Sequence, residues 1–154
     1  MRTQVAVVAV SAVLALVGVS CVAMQLKAPD HADIAKMDND KLSEMFWRYT
    51  DVPPEQIDAA SRHQARARMF DEMTRRGLLP DFSRTEWFLV REQQLGTGMS
   101  RIALIYSWGR PDRAEQAQTT SGVEIEHFIY SRADRGADYV LIQEGAVKSW
   151  EIND

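Results

Sequence analysis

The sequence predicts an α+β fold: helices packed on a three- to four-stranded antiparallel β-meander, with a helical segment before them. Three observations predict it. A short helix between Gly98 and Asp112 carries its own start and stop signals. After Pro111 the apolar pattern changes from helical to alternating. Between Asp38 and Gly77, apolar residues recur every three or four positions.

The short helix organises the rest. Ser100 can accept a hydrogen bond from a free N–H of the first turn, so it is the expected N-cap. Met99 and Leu104 then occupy the two positions of a hydrophobic staple. Ile102, Ile105 and Tyr106 form the expected inner face, laid on Val123, Ile125 and Leu141 of the sheet. Gly109 can adopt the left-handed cap, Pro111 forbids continuation, and Arg110 before proline is biased to extended backbone. Trp108 and Trp150 should lock helix to sheet, and full docking of Trp108 would make Trp108→Ala cost about 3–5 kcal/mol.

Upstream, Asp38-Asn39-Asp40 supplies caps for a helix over Lys41 to Tyr49, with Leu42, Met45, Phe46 and Tyr49 on one face. Pro53-Pro54 breaks it, and Pro54 suits the first turn of a helix reaching Arg76. Ile57, Ala60, Gln64, Ala67, Phe70 and Met73 should face inward there. Its other face carries four oppositely charged pairs at four-residue spacing, each worth about 0.2–0.5 kcal/mol. These give the Arg-rich look a structural explanation, ahead of a phosphate or headgroup site on Arg62, Arg66 and Arg75. Gly77 and Pro80 stop the helix, and Asp81-Phe82-Ser83 opens another that carries Trp87 to Val90.

Downstream, Arg113 to Gln118 is a weak edge strand. Val123 to Tyr130 alternates, with Val123, Ile125 and Ile129 on one face and Phe128 and Tyr130 on the other. A charged loop, Arg132 to Gly136, precedes strands at Tyr139 to Gln143 and Val147 to Ile152, joined by Glu144-Gly145.

Composition narrows the function classes. The chain has 154 residues, 45% of them hydrophobic, enough for one domain of about 130 residues plus a targeting segment. Arg2 and then an uncharged run from Val5 to Met24 read as an export signal or membrane anchor. Of 18 Lys and Arg, removing Arg2 with the first 21 residues leaves 17 against 22 acids, so no nucleic-acid partner is expected. One cysteine, Cys21, allows no intrachain disulfide. The organisation expected is a signal or anchor over 1–21, a tether over 22–37, a helical segment over 38–80 and the helix-plus-sheet domain over 81–154.

Two resemblances sharpen this. Gly18-Val19-Ser20-Cys21 resembles a bacterial lipoprotein signal, with Gly18 where Leu is usual; it implies lipid attachment at Cys21. An uncut anchor, or a cut after Ala23, are the alternatives. Val22 is not the Asp that retains such proteins in the inner membrane, so the resemblance implies the outer membrane, facing the periplasm. Gly98-Met99-Ser100, Trp108-Gly109-Arg110-Pro111, Phe128-Ile129-Tyr130, Tyr139-Val140-Leu141 and Gly145-Ala146-Val147 with Trp150 resemble the SmpA/OmlA lipoproteins. That family includes an accessory subunit of the β-barrel assembly machinery. Its domain is two helices on a three-stranded sheet, related to half of the β-lactamase inhibitor protein. The export segment with Cys21, the helix-on-meander pattern and the absence of catalytic constellations point to a non-enzymatic module that binds an envelope protein, with Trp108, Arg110, Tyr130 and Trp150 as the candidate partner surface.

Chemistry has little support in the residues. His31, His63 and His127 lack ligand spacing, so no metal is expected, and no phosphate loop or dinucleotide fingerprint implies a cofactor. Ser100, Ser107 and Ser121 lack a nucleophile elbow, and Glu124 with Glu126 reads as a solvated strand face. The alternatives are a secreted small-ligand binder or cell-wall enzyme using the helix–sheet groove, and an inhibitor protein.

Overall fold

A computed structural model describes residues 28–51, 57–132 and 136–153. Cys21 and the signal or anchor segment, Pro53-Pro54, and most of the charged loop after Arg132 lie outside the described residues. Within them the order is α1 (His31–Lys36), α2 (Asn39–Asp51), α3 (Ala59–Arg75), α4 (Arg84–Arg91), α5 (Arg101–Trp108), β1 (Arg113–Gln118), β2 (Glu124–Arg132), β3 (Gly136–Gln143) and β4 (Ala146–Glu151). The fold is α+β, with the helices preceding and packing against a four-stranded antiparallel sheet of order β1-β2-β3-β4.

Local chemistry sets the helix ends. Asp30, Asp58, Ser83 and Ser100 each accept from a first-turn backbone N–H. Ser83 and Glu86 form a reciprocal capping box. Gly77, at φ +66°, follows α3, where the N–H of Leu78 reaches back to the carbonyl of Met73 at 2.9 Å.

One core joins all the layers. Leu42, Phe46 and Tyr49 of α2 meet Met69, Phe70 and Met73 of α3, and the cluster continues through Val90, Met99, Ala103 and Leu104 to Phe128, Tyr130, Val140, Ile142 and Val147. The ring of Phe46 lies 6.5 Å from Phe70 and 5.9 Å from Tyr106, tying three helices together.

Four expectations need correction. The segment read as a tether contains α1, whose Ile34 is buried. The Arg76 guanidinium reaches back from α3 to the carbonyls of Ala35 (3.2 Å) and Met37 (2.7 Å), contacts invisible to a local reading. In α3 the inner face is Ala65, Arg66, Met69, Phe70 and Met73; Ala60 and Gln64 are exposed. The stripe turned because a buried arginine belongs to it. In α5 the buried residues are Ala103, Leu104 and Ser107, while Ile102 is 48% exposed. Small side chains let α5 approach closely: the Ser107 hydroxyl donates to the carbonyl of Gln94 at 2.9 Å. Finally, the covered face of the sheet is the one bearing Phe128, Tyr130, Val140 and Ile142, not Val123, Ile125 and Leu141. Both faces carry apolar residues, and the bulkier aromatic pair faces the helices.

Candidate functional site

The Gly98–Pro111 stretch is pinned at both ends. Gly98, at φ +83°, donates from its N–H to the carbonyl of Val147 at 2.8 Å, and the N–H of Val147 donates to the carbonyl of Met99 at 2.8 Å. The N–H of Ser100 donates to the Glu86 carboxylate at 2.8 Å, and Ser100 forms an antiparallel bridge with Ala146. At the C-terminal end Trp108 packs edge-on against Tyr130, with ring centroids 5.4 Å apart, and the Tyr130 hydroxyl donates to the carbonyl of Gly109 at 3.3 Å. Pro111 is half-buried just before β1.

Glu86 holds two helix starts with one carboxylate. Burial pushes its pKa up, but hydrogen bonds from Ser100 and Ser83 outweigh that and bring it from 4.5 down to about 2. A lowered carboxylate pKa means the folded state binds fewer protons than the unfolded one. Its stabilisation is therefore complete above about pH 4.5 and is lost as pH falls toward 2. Glu86→Gln is expected to cost about 1–2 kcal/mol at pH 7, allowing for solvent screening, and almost nothing near pH 2. Urea melts of both proteins at the two pH values check this.

A second cluster lies where α2, α3 and α5 meet. Arg66 is only 3% exposed; its two terminal nitrogens donate to the carbonyls of Tyr106 (2.7 Å) and Ser107 (3.2 Å), and its guanidinium lies 5.1 Å from the Phe46 ring centre. Desolvation, with some help from nearby Arg62 and opposed by Asp51, lowers its pKa to about 10, so it stays charged at neutral pH. The Asp51 carboxyl is pushed up by burial, with Arg110 and Arg66 opposing. Arg110 is exposed and lies 5.7 Å from the Trp47 ring. Nothing in the sequence marked Arg66 as buried. Its role is to cap the last turn of α5, not to hold a phosphate with Arg75, which is bound to Glu72 at 2.8 Å.

The four residues of the expected partner surface separate. Tyr130 is 3% exposed and belongs to the core, so it leaves any surface. Trp108 is half-buried, and Trp108→Ala is now expected to cost about 2 kcal/mol, checked by thermal melting. Arg110 is exposed, and Trp150 is 39% exposed on the helix-facing side of β4, opposite Val140.

No protein-family model, curated protein or solved structure matches the chain. Its surface must therefore be read on its own terms. Across β2 and β3 the register places Ile129 beside Tyr139 and His127 beside Leu141. With Val123 and Ile125 these form the outer face of the sheet. Tyr139 is 43% exposed, and Val123, Ile125, Ile129 and Leu141 are half-buried. On the helix-facing side of the sheet Phe128, Val140, Ile142 and Val147 are all at 1% exposure or less. A groove of about 310 Å³ lies beside the end of α3, lined by Thr74, Asp81, Phe82 and Trp87 among others. Glu124 is exposed, whereas Glu126 is bound by Arg101 at 3.0 Å. Among the described residues no group of His, Cys, Asp or Glu is placed to hold a metal ion, and no helix is long and apolar enough to cross a membrane.

Proposed function

We propose that this protein is a non-enzymatic cell-envelope lipoprotein, held to the outer membrane through Cys21 and facing the periplasm, whose domain is a protein-binding accessory module. Resemblance to the SmpA/OmlA lipoproteins favours a part in outer-membrane assembly or maintenance. The observation carrying the binding role is the outer sheet face. It presents Ile125, Ile129, Tyr139 and Leu141 as neighbours on β2 and β3, whose other side packs into the core through Phe128, Tyr130, Val140 and Ile142. An exposed aromatic among half-buried aliphatics on a fixed backbone is the composition of a protein-docking hot spot. The basis for lipid attachment is the run from Val5 to Met24 with Cys21 near its end.

Photo-crosslinking from position 139 in intact cells tests the binding role. A discrete crosslinked envelope protein is expected, and Tyr139→Glu should abolish capture of that protein from solubilised membranes while leaving the melting temperature within a few degrees. Unimpaired capture by Tyr139→Glu would reject the outer face. Mass spectrometry of the mature N-terminus tests the anchor: an acylated Cys21 is expected, and an unmodified chain beginning at Met24 would refute it.

A further inference from the structure

Among the described residues nothing covers strand β1: all six residues from Arg113 to Gln118 are exposed on both faces, and its strand neighbour is β2. We propose that β1 is the seam of a symmetric homodimer, two copies joining antiparallel about Gln116 into one continuous eight-stranded sheet.

The direction of the main-chain groups fixes the register. The N–H of Thr119 donates to the carbonyl of Val123 at 3.0 Å, so odd-numbered residues of β1 turn their hydrogen-bonding groups toward β2. The N–H of Glu144 donates to the carbonyl of Glu124, turning the even-numbered residues of β2 toward β3 and its odd ones toward β1, in agreement. The N–H and C=O groups of Ala114, Gln116 and Gln118 therefore point outward.

An antiparallel pair related by a two-fold axis perpendicular to the sheet keeps like faces together, so the axis must pass midway between the two copies of one residue. Centred on Gln116, Ala114 pairs with Gln118 of the other copy and Gln116 with itself, which uses all three outward residues. Glu115 then lies opposite Ala117. Centred on Glu115, two carboxylates would oppose each other directly, which is destabilising.

The edge carries few of the usual defences against pairing. Between Arg113 and Gln118 there is no proline and no lysine, and Arg113 and Glu115 form an ion pair with each other, so the strand carries no net charge. The opposite edge differs. There Gly98, Met99 and Arg101 already occupy main-chain groups of Gly145 and Val147. A two-fold contact uses β1 of both copies, so this seam closes at two, and the start of the opposite edge is already occupied. The interface is a single strand pair, so it falls below the standard size and the association depends on concentration. Both outer sheet faces then lie on the same side of the joined sheet.

The test uses the full-length protein in detergent. Under mild oxidation Gln116→Cys should form a disulfide between position 116 of two copies, because directly opposed hydrogen-bonded residues have Cα atoms about 5.5 Å apart. Thr85→Cys, an exposed site on α4, should not. The unsubstituted protein controls for linkage through Cys21. Gln116→Lys, which sets two ammonium groups face to face on the axis, should shift sedimentation equilibrium to monomer with unchanged thermal melting. Monomer at all concentrations, equal crosslinking from position 85, a dimer that survives Gln116→Lys, or crosslinks from position 116 only to a different protein would each overturn the proposal.

Discussion

An Arg66→Ala variant is expected to lose about 4 kcal/mol of unfolding free energy, read as a lower urea midpoint at unchanged slope. The direction is not obvious, because burying the guanidinium is itself costly and its pKa falls to about 10 as a result. What decides the sign is what the side chain leaves behind. The carbonyls of Tyr106 and Ser107 end α5 inside the protein, and each would lose its donor. A buried unpaired carbonyl costs about 1–3 kcal/mol. The stem packed against Phe46 would also leave a void. Arg66→Met separates the two effects, since it keeps most of the packing and removes the donors. It should recover about half of the loss. If Arg66→Met matched wild type, the guanidinium would be a passenger on its own stem. Arg66→Lys should not rescue fully, because an ammonium lacks the planar fork that reaches two adjacent carbonyls.

Gly109→Ala is expected to cost about 3 kcal/mol, for two reasons that act together. Gly109 sits at φ +90°, ψ −176°, a region closed to residues with a side chain. An added Cβ would also lie 3.1 Å from the Thr50 methyl and 3.2 Å from a carboxylate oxygen of Asp51. Gly98→Ala provides the comparison. Gly98 has φ +83° but nothing within 4 Å of an added Cβ, so it should show the backbone cost alone. Thermal melts of the two variants therefore separate strain from collision, and equal losses would show that the contact with α2 is slack.

These residues also show what a sequence can and cannot disclose. Ser100 and Gly109 were legible because caps are local: the groups they satisfy lie within one turn, and the structure caps α5 at both residues. The meander was legible from alternation and turn residues. The inner face of that meander was not. Ile125, Ile129 and Leu141 on one side are as apolar as Phe128, Val140 and Ile142 on the other, and only the helix layer breaks the tie. Arg66 was illegible for a related reason. A guanidinium is read as solvated unless its acceptors are known, and these lie forty or so residues away on α5. Short α1 was missed because six residues with one large apolar side chain, Ile34, hold no period, and part of what fixes them is Arg76 at the end of α3. Of the expected partner surface, Arg110 and Trp150 are exposed and Tyr130 is core. The outer face around Tyr139 carried no sequence signal, because nothing local says which side of a two-sided strand will be left bare.

The stitch between Gly98–Arg101 and Gly145–Val147 has a temporal consequence. The start of α5 is completed by main-chain partners near the far end of the chain. Wherever the chain emerges N-terminus first, from a ribosome or a translocation pore, that turn has no mate until residue 147 has followed it. Until then its open backbone groups, and Met99 beside them, remain available to chaperones that bind extended segments.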